Sequence, residues 1–150
     1  MTKIKLISVG SLSPKFKFLF EDYAKQINHF SSFSFVEIKE FSEEKNIDLK
    51  KEKETKLILE SIIPNSYVIL TSFRGKQFDS LEFSNIFLNN KNKDISIIIG
   101  GSDGVVEESI PYKLKLSFSN MTFPHQLFRI MLVEQIYRSY MIINNKKYHK

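Results

Sequence analysis

The chain has 150 residues, 42% hydrophobic and 26% charged, with 22 Lys and Arg against 17 Asp and Glu for a net charge of +5, and no cysteine. Such a length is most simply one domain, residues 1–150, able to bury a real core, and the missing thiols exclude disulfides, thiolate metal sites and cysteine nucleophiles. The opening "MTKIKLISVGSL" is too short an apolar stretch for a secretion signal, and no segment approaches the ~20 apolar residues that span a bilayer, so a cytoplasmic protein with no membrane partner is expected.

Ile4 to Val9 reads as a first strand closed by Gly10, and "SLSPKF" places a serine and a proline at the start of a helix running to about His29. Phe16, Leu19, Phe20, Tyr23 and Ile27 recur in it at helical spacing. Phe33 to Ile38 alternates as a second strand. Residues 42 to 63 mix Glu and Lys densely before Leu57, Ile58, Ile62 and Ile63, which predicts a solvated helix with one buried stripe. "SYVIL" is a third strand, followed by a helix over Asp79 to Leu88. "DISIIIGGSDGVV" is a buried strand that breaks into Gly100, Gly101, Ser102, Asp103 and Gly104, where the backbone must turn sharply or approach something closely. A short strand over Lys113 to Phe118 precedes "PHQLFRIMLVEQIYRSYMII", a final helix with Pro124 in its first turn and Glu134 and Arg138 spaced i, i+4. That helix is apolar almost all round and needs more than one neighbour: the sheet and a second subunit, or the core of a monomer.

The alternation of strand and helix predicts an α/β domain with a mostly parallel sheet and helices on both faces, binding its ligand beyond the carboxyl ends of the strands. The glycine loop, "TSFRGK" (71–76) and "SNMTFPH" (119–125) all fall at such ends. The ligand is not written in a familiar code. Gly104 is followed by Val105 and Val106, which denies a P-loop, and Gly10 stands alone in the first turn, which denies a dinucleotide fingerprint. No H-E-x-x-H, Cys/His cluster or G-x-S-x-G occurs, so no metal and no elbow serine are expected. Asp103 is an acid or a turn former. The basic excess favours an anionic partner, nucleic acid first. The ending "NNKKYHK" is a frayed lysine-rich end or a basic, aromatic segment that orders on RNA.

"IIIGGSDG", "LSFSNMTFPHQLFRIMLVEQIYRSY" and the terminal "YHK", in that order, resemble the ribosomal RNA large-subunit methyltransferase H family, of the SPOUT class of S-adenosylmethionine-dependent methyltransferases. "ISVGSLSPKF" and "LKKEKET" extend the resemblance over the whole chain. It implies a SPOUT-type C-terminal trefoil knot, a homodimer, and methylation of N3 of a pseudouridine in 23S ribosomal RNA, on the assembled ribosome. It places the S-adenosyl-L-methionine contacts at Thr71, Gly100, Phe118, Ser119, Asn120, Met121, Thr122 and Phe123, where backbone groups read the adenine and Gly100 leaves room for the donor. In the family the C-terminal residues sit near the donor site at the dimer interface.

Methyl transfer from a sulfonium asks mainly for alignment, once the N3 proton is removed by a base or the anion is stabilised by cations. His149 is the expected base. Arg129, Arg138 and Lys150 are expected cationic RNA contacts, and Tyr148 a stacking residue or plain packing. His125, beside Pro124, is the weaker base candidate. Ser72 stands where relatives often carry an acidic residue. The rival from another class, a non-catalytic RNA-binding or ribosome-assembly module, accounts for the charge and the tail but not for the glycine loop or Phe118 to Phe123.

Overall fold

A computed structural model describes all 150 residues. Five strands, β1 (Lys3–Val9), β2 (Ser32–Ile38), β3 (Tyr67–Gln77), β4 (Ile95–Ile99) and β5 (Leu114–Ser117), form one sheet in the order β2-β1-β4-β3-β5. Every pairing is parallel. Helices α1 (Pro14–Ile27), α2 (Ile47–Ser61), α3 (Ser80–Asn89) and α4 (His125–Ile143) connect or follow the strands, with a single 3-10 turn at Glu107–Ser109.

Alternation along each strand divides the core between the two faces. Ile4, Leu6, Ile69, Ile95, Ile97 and Ile99 meet Phe20, Ile27, Phe83, Phe87, Leu132, Val133 and Ile136 from α1, α3 and α4. Ile7, Val9, Val68, Leu70 and Ile98 meet Ile58 of α2, with Val105 and Ile110. Helices therefore cover both faces, as the parallel sheet requires.

Two elements depart from expectation, and a third, the last helix, follows one of its two expected readings in good part. The helix predicted over 42–63 begins only at Ile47, because Asn46 caps it by accepting from Leu49 N–H at 3.1 Å and residues 42–46 form a turn and its exit. Its buried face is mostly polar: Lys50, Glu54 and Thr55 lie there beside Ile58. "TSFRGK" is part of β3 rather than a loop beyond it, and Thr71 and Lys76 both stand opposite Leu116, so residues Ser72–Gly75 are extruded from the ladder. Gly75 makes the extrusion possible, since a Cβ there would lie 2.6 Å from the Leu116 carbonyl carbon. Finally, α4 buries Ile130, Leu132, Val133, Ile136 and Met141 within its own chain, against α1, α3 and the sheet. Much of its apolar character is thus core, and the part left for a second subunit is smaller than the sequence suggested.

Candidate active site

A cleft of about 360 Å³ opens at the carboxyl ends of β3, β4 and β5, a volume suited to a small-molecule ligand. Its walls are the extruded segment of β3 (Thr71 to Arg74), the glycine loop after β4 (Gly100 to Gly104), and the stretches Leu116 to Ser119 and Met121 to Phe123 with His125 and Phe128.

The wall after β5 is held by side chains, which leaves its peptide groups free. Ser117 Oγ donates to Ser119 O at 3.0 Å, and Met121 N–H donates to Ser119 Oγ at 3.0 Å. The peptide groups of Asn120, Thr122 and Phe123 pair with no other peptide group. Those of Thr122 and Phe123 line the cleft and are open to solvent, so they are free to pair with a ligand. Thr71 lines the cleft with its side chain already engaged, Oγ1 donating to Ile98 O at 2.8 Å.

Three glycines build the opposite wall. Gly101 and Gly104 form an isolated bridge, and Gly104 takes φ +82°, which favours glycine. A Cβ on Gly101 would come within 2.8 Å of Glu54 Oε1, and one on Gly100 within 2.9 Å of Val105 Cγ1. The loop is tethered from beneath by α2. Lys50, 5% exposed, donates to Asp103 Oδ2 at 2.8 Å, Ser102 Oγ at 3.2 Å and Glu40 Oε2 at 3.3 Å. Thr55 Oγ1 accepts from Val106 N–H at 3.0 Å, and the fully buried Glu54 accepts from Phe41 N–H at 2.9 Å. The hydrogen bond to Asp103 raises the Lys50 ammonium, whereas burial pushes the Glu54 carboxyl up. Asp103 is therefore a loop anchor. Breaking a buried ion pair costs ~3–5 kcal/mol, and the partial exposure of Asp103 and Glu40 reduces that to about 2–3 kcal/mol for Lys50→Met, read as a lower urea midpoint. An unchanged midpoint would show that the tether contributes nothing.

A carboxylate does stand beside Ser72, supplied from elsewhere in the chain. Glu107 Oε2 accepts from Ser72 Oγ at 2.8 Å and from Arg74 Nη2 at 2.7 Å, and its Oε1 accepts from Lys115 Nζ at 3.0 Å. Burial alone would raise this carboxyl, but the donors Lys115, Ser72 and Arg74 outweigh it and hold it at about 2. With the folded value below the usual 4.5, the stabilisation is full above pH 4.5 and is lost as pH falls toward 2. Glu107→Gln should therefore flatten the fall of stability across that window, measured by urea denaturation at several pH values. A slope equal to the parent's would contradict the network.

Of the expected donor contacts, Thr71, Gly100, Phe118, Ser119, Met121, Thr122 and Phe123 line the cleft, while Asn120 does not. Its Oδ1 accepts instead from Gln77 Nε2 at 3.0 Å. The other expected residues lie outside the cleft. Arg129 corrects the expectation of a surface cation: it is 4% exposed, with Nη1 on Glu37 Oε2 at 2.6 Å and Nη2 on Gly10 O at 3.0 Å, so it ties α4 to the ends of β1 and β2. The tail is folded back rather than frayed. Tyr148 OH donates to Glu134 Oε2 at 2.7 Å, and burial together with that bond raises its hydroxyl. His149 Nδ1 lies 3.1 Å from Arg138 Nη1, and Arg138 in turn is paired with Glu134 at 2.8 Å. Lys150 is exposed at the end of the chain. Arg138 is thirteen residues along α4 from His125 at the cleft, about 20 Å at 1.5 Å per residue. Lys50, Phe73, Arg74 and Glu107 escaped notice as parts of the site, since only the charged run around Lys50 and the turn at 71–76 were visible.

Comparison with known proteins agrees with this geometry. A family model described as predicted SPOUT methyltransferase matches residues 2–149. The chain is 67% identical over 150 residues, all of both chains, to a protein of Mycoplasmopsis agalactiae named ribosomal RNA large subunit methyltransferase H. Proteins of the same name from Mycoplasmopsis synoviae and Clostridium botulinum are 52% and 41% identical, each match covering 98% of this chain and 99% of the relative. A solved structure of a probable methylase family protein from Haemophilus influenzae superposes with a TM-score of 0.60 at 15% identity, over 96% of this chain and 67% of that one, which shows a shared fold. With its parallel sheet, the cleft at the strand ends and a family match spanning nearly every residue, the chain belongs to the SPOUT methyltransferase family.

Proposed function

We propose that this enzyme transfers a methyl group from S-adenosylmethionine to N3 of a pseudouridine in large-subunit ribosomal RNA, acting on the assembled ribosome as a homodimer. The observation that carries this reading is a cleft walled by unpaired peptide groups, in a chain that matches full-length relatives named for methylating that RNA. Peptide groups at Thr122 and Phe123 would hold the donor's adenine, and Leu116, Phe118 and Phe128 would give apolar walls. When bound, the donor supplies a methyl carbon on a sulfonium, a leaving group that needs no acid. The path of the chain also supports a knot. β5 is at one edge beside β3, whereas α4 begins beside β1, where Gln126 Oε1 accepts from Ser13 N–H at 2.6 Å. Residues 118–124 therefore cross the ends of β3 and β4, and we read that crossing as threaded.

His149 is assigned to the substrate side. A guanidinium only donates, so Nδ1 accepts from Arg138 and the neutral ring carries its proton on Nε2. In this arrangement the imidazole offers an N–H and not a lone pair. His149 then acts by donating to an oxygen of the N3-deprotonated ring, with Arg138 and Lys150 adding positive charge, so that the substrate's own acidity rises and N3 gives its proton to solvent water. With the tail about 20 Å along α4 from the cleft of its own chain, the tail of one protomer serves the cleft of its partner. The exposed remainder of α4, with Leu127 40% exposed, belongs to that two-fold contact.

Methyl transfer measured on intact ribosomes against naked RNA, with calorimetry for the donor, tests the reading. Donor binding with transfer to ribosomes is expected. RNA binding without donor binding would favour the non-catalytic module.

A further inference from the structure

We propose that Phe73, capped by Arg74, is a stacking platform for an unpaired base of the RNA substrate at the mouth of the cleft, an inference that rests on the RNA-methylating function proposed above.

Phe73 is 69% exposed and lines the cleft. It gains little from the core, yet it is held in place. The segment that carries it is extruded where Thr71 and Lys76 share Leu116 as partner, and it is pinned at its end by the close approach of Gly75 to the β5 backbone. Within the segment, Ser72 Oγ accepts from Arg74 N–H at 3.2 Å.

Neighbours on a regular strand point to opposite sides. Here the extrusion brings the Arg74 guanidinium over the Phe73 ring, 4.7 Å from its centroid. Glu107 fixes that guanidinium from the far side at 2.7 Å and is itself fixed by Lys115. A cation thus lies over a ring that is otherwise largely exposed at the edge of a methyl-donor cleft. A rigid aromatic face backed by arginine is the chemistry that holds single-stranded bases, since every base offers a π-face, while the positive charge suits the phosphates. A base stacked there is already out of its helix when it reaches the cleft.

The test uses the full-length protein, a fluorescently labelled RNA stem-loop, ribosomes and S-adenosylmethionine. Phe73→Ala should weaken stem-loop binding and raise the ribosome KM by about 5- to 150-fold, the range of one base–aromatic stack. Donor affinity by calorimetry should stay within twofold, and Phe73→Tyr should restore RNA binding. RNA affinity and KM unchanged in Phe73→Ala would overturn the platform, as would a parallel loss of donor affinity, which would make Phe73 a cover for the donor. If the parent protein binds the stem-loop but transfers no methyl group, the proposed function fails while Phe73→Ala still decides the platform. If it binds only ribosomes, the ribosome KM of Phe73→Ala decides the platform, and if it binds neither stem-loop nor ribosomes, both fall.

Discussion

Removing Tyr148, His149 and Lys150 is expected to lower methyl transfer by about 100-fold or more, the usual scale for losing a group that handles a proton or its charge, while donor binding and folding persist. Folding should survive because the three residues belong to no strand or helix and touch the body mainly through Glu134, Tyr137 and Arg138. The proposed sharing of the site between protomers makes a sharper result available. A tail-truncated chain mixed with a chain disabled in the cleft should recover about a quarter of the parent activity, because half of randomly mixed dimers are heterodimers, each with one intact cleft facing one intact tail. No recovery after confirmed subunit exchange would show that the tail serves its own cleft, or none. His149 variants then separate its two roles. Gln keeps an N–H donor but cannot accept a proton at neutral pH. If His149 donates, His149→Gln should retain far more activity than His149→Ala. If His149 is the base, both should be equally poor, and both should recover at high pH, where N3 ionises unaided.

Gly100→Val is expected to weaken donor binding by about 100-fold in a protein that still folds, a change of about 2.7 kcal/mol. The β-carbon would meet Val105 Cγ1 at 2.9 Å and the Gly104 carbonyl carbon at 3.4 Å, so the added side chain forces apart the turn that forms one wall of the cleft. Overpacking of this kind costs ~1–3 kcal/mol of stability, which a cooperative urea transition would report. Pairing it with Val105→Ala opens the space that the new side chain needs. If stability and donor affinity both return, Gly100 serves the packing of the loop. If only stability returns, the side chain itself blocks the donor. Donor affinity within twofold of the parent in the folded single variant would remove the glycine loop from the donor site.

The alternation of apolar residues was enough to establish the parallel α/β class, the strand carrying Ile95 to Ile99 and the placement of a ligand at the strand ends, because burial on both faces leaves few other solutions for such runs. The glycine loop and the stretch before Pro124 were likewise legible as loops at strand ends, and both line the cleft, since turns and glycines are written locally in the chain. Tertiary structure alone decided four matters. Lys50 and Glu54 lie in a run of charge that reads as solvated, and only the glycine loop resting on α2 turns their charge inward as a tether. Glu107 reaches Ser72 across 35 residues, and the extrusion that presents Phe73 exists only through the pairing with β5. Arg129 reads as one more surface cation until Glu37 and Gly10 are brought to it from the ends of two strands. His149 stands alone in the terminal run until the fold brings Arg138 to within 3.1 Å of its Nδ1. The physical reason is common to all four: a polar side chain takes its state from partners distant in sequence, whereas an apolar run carries its fate in its own periodicity.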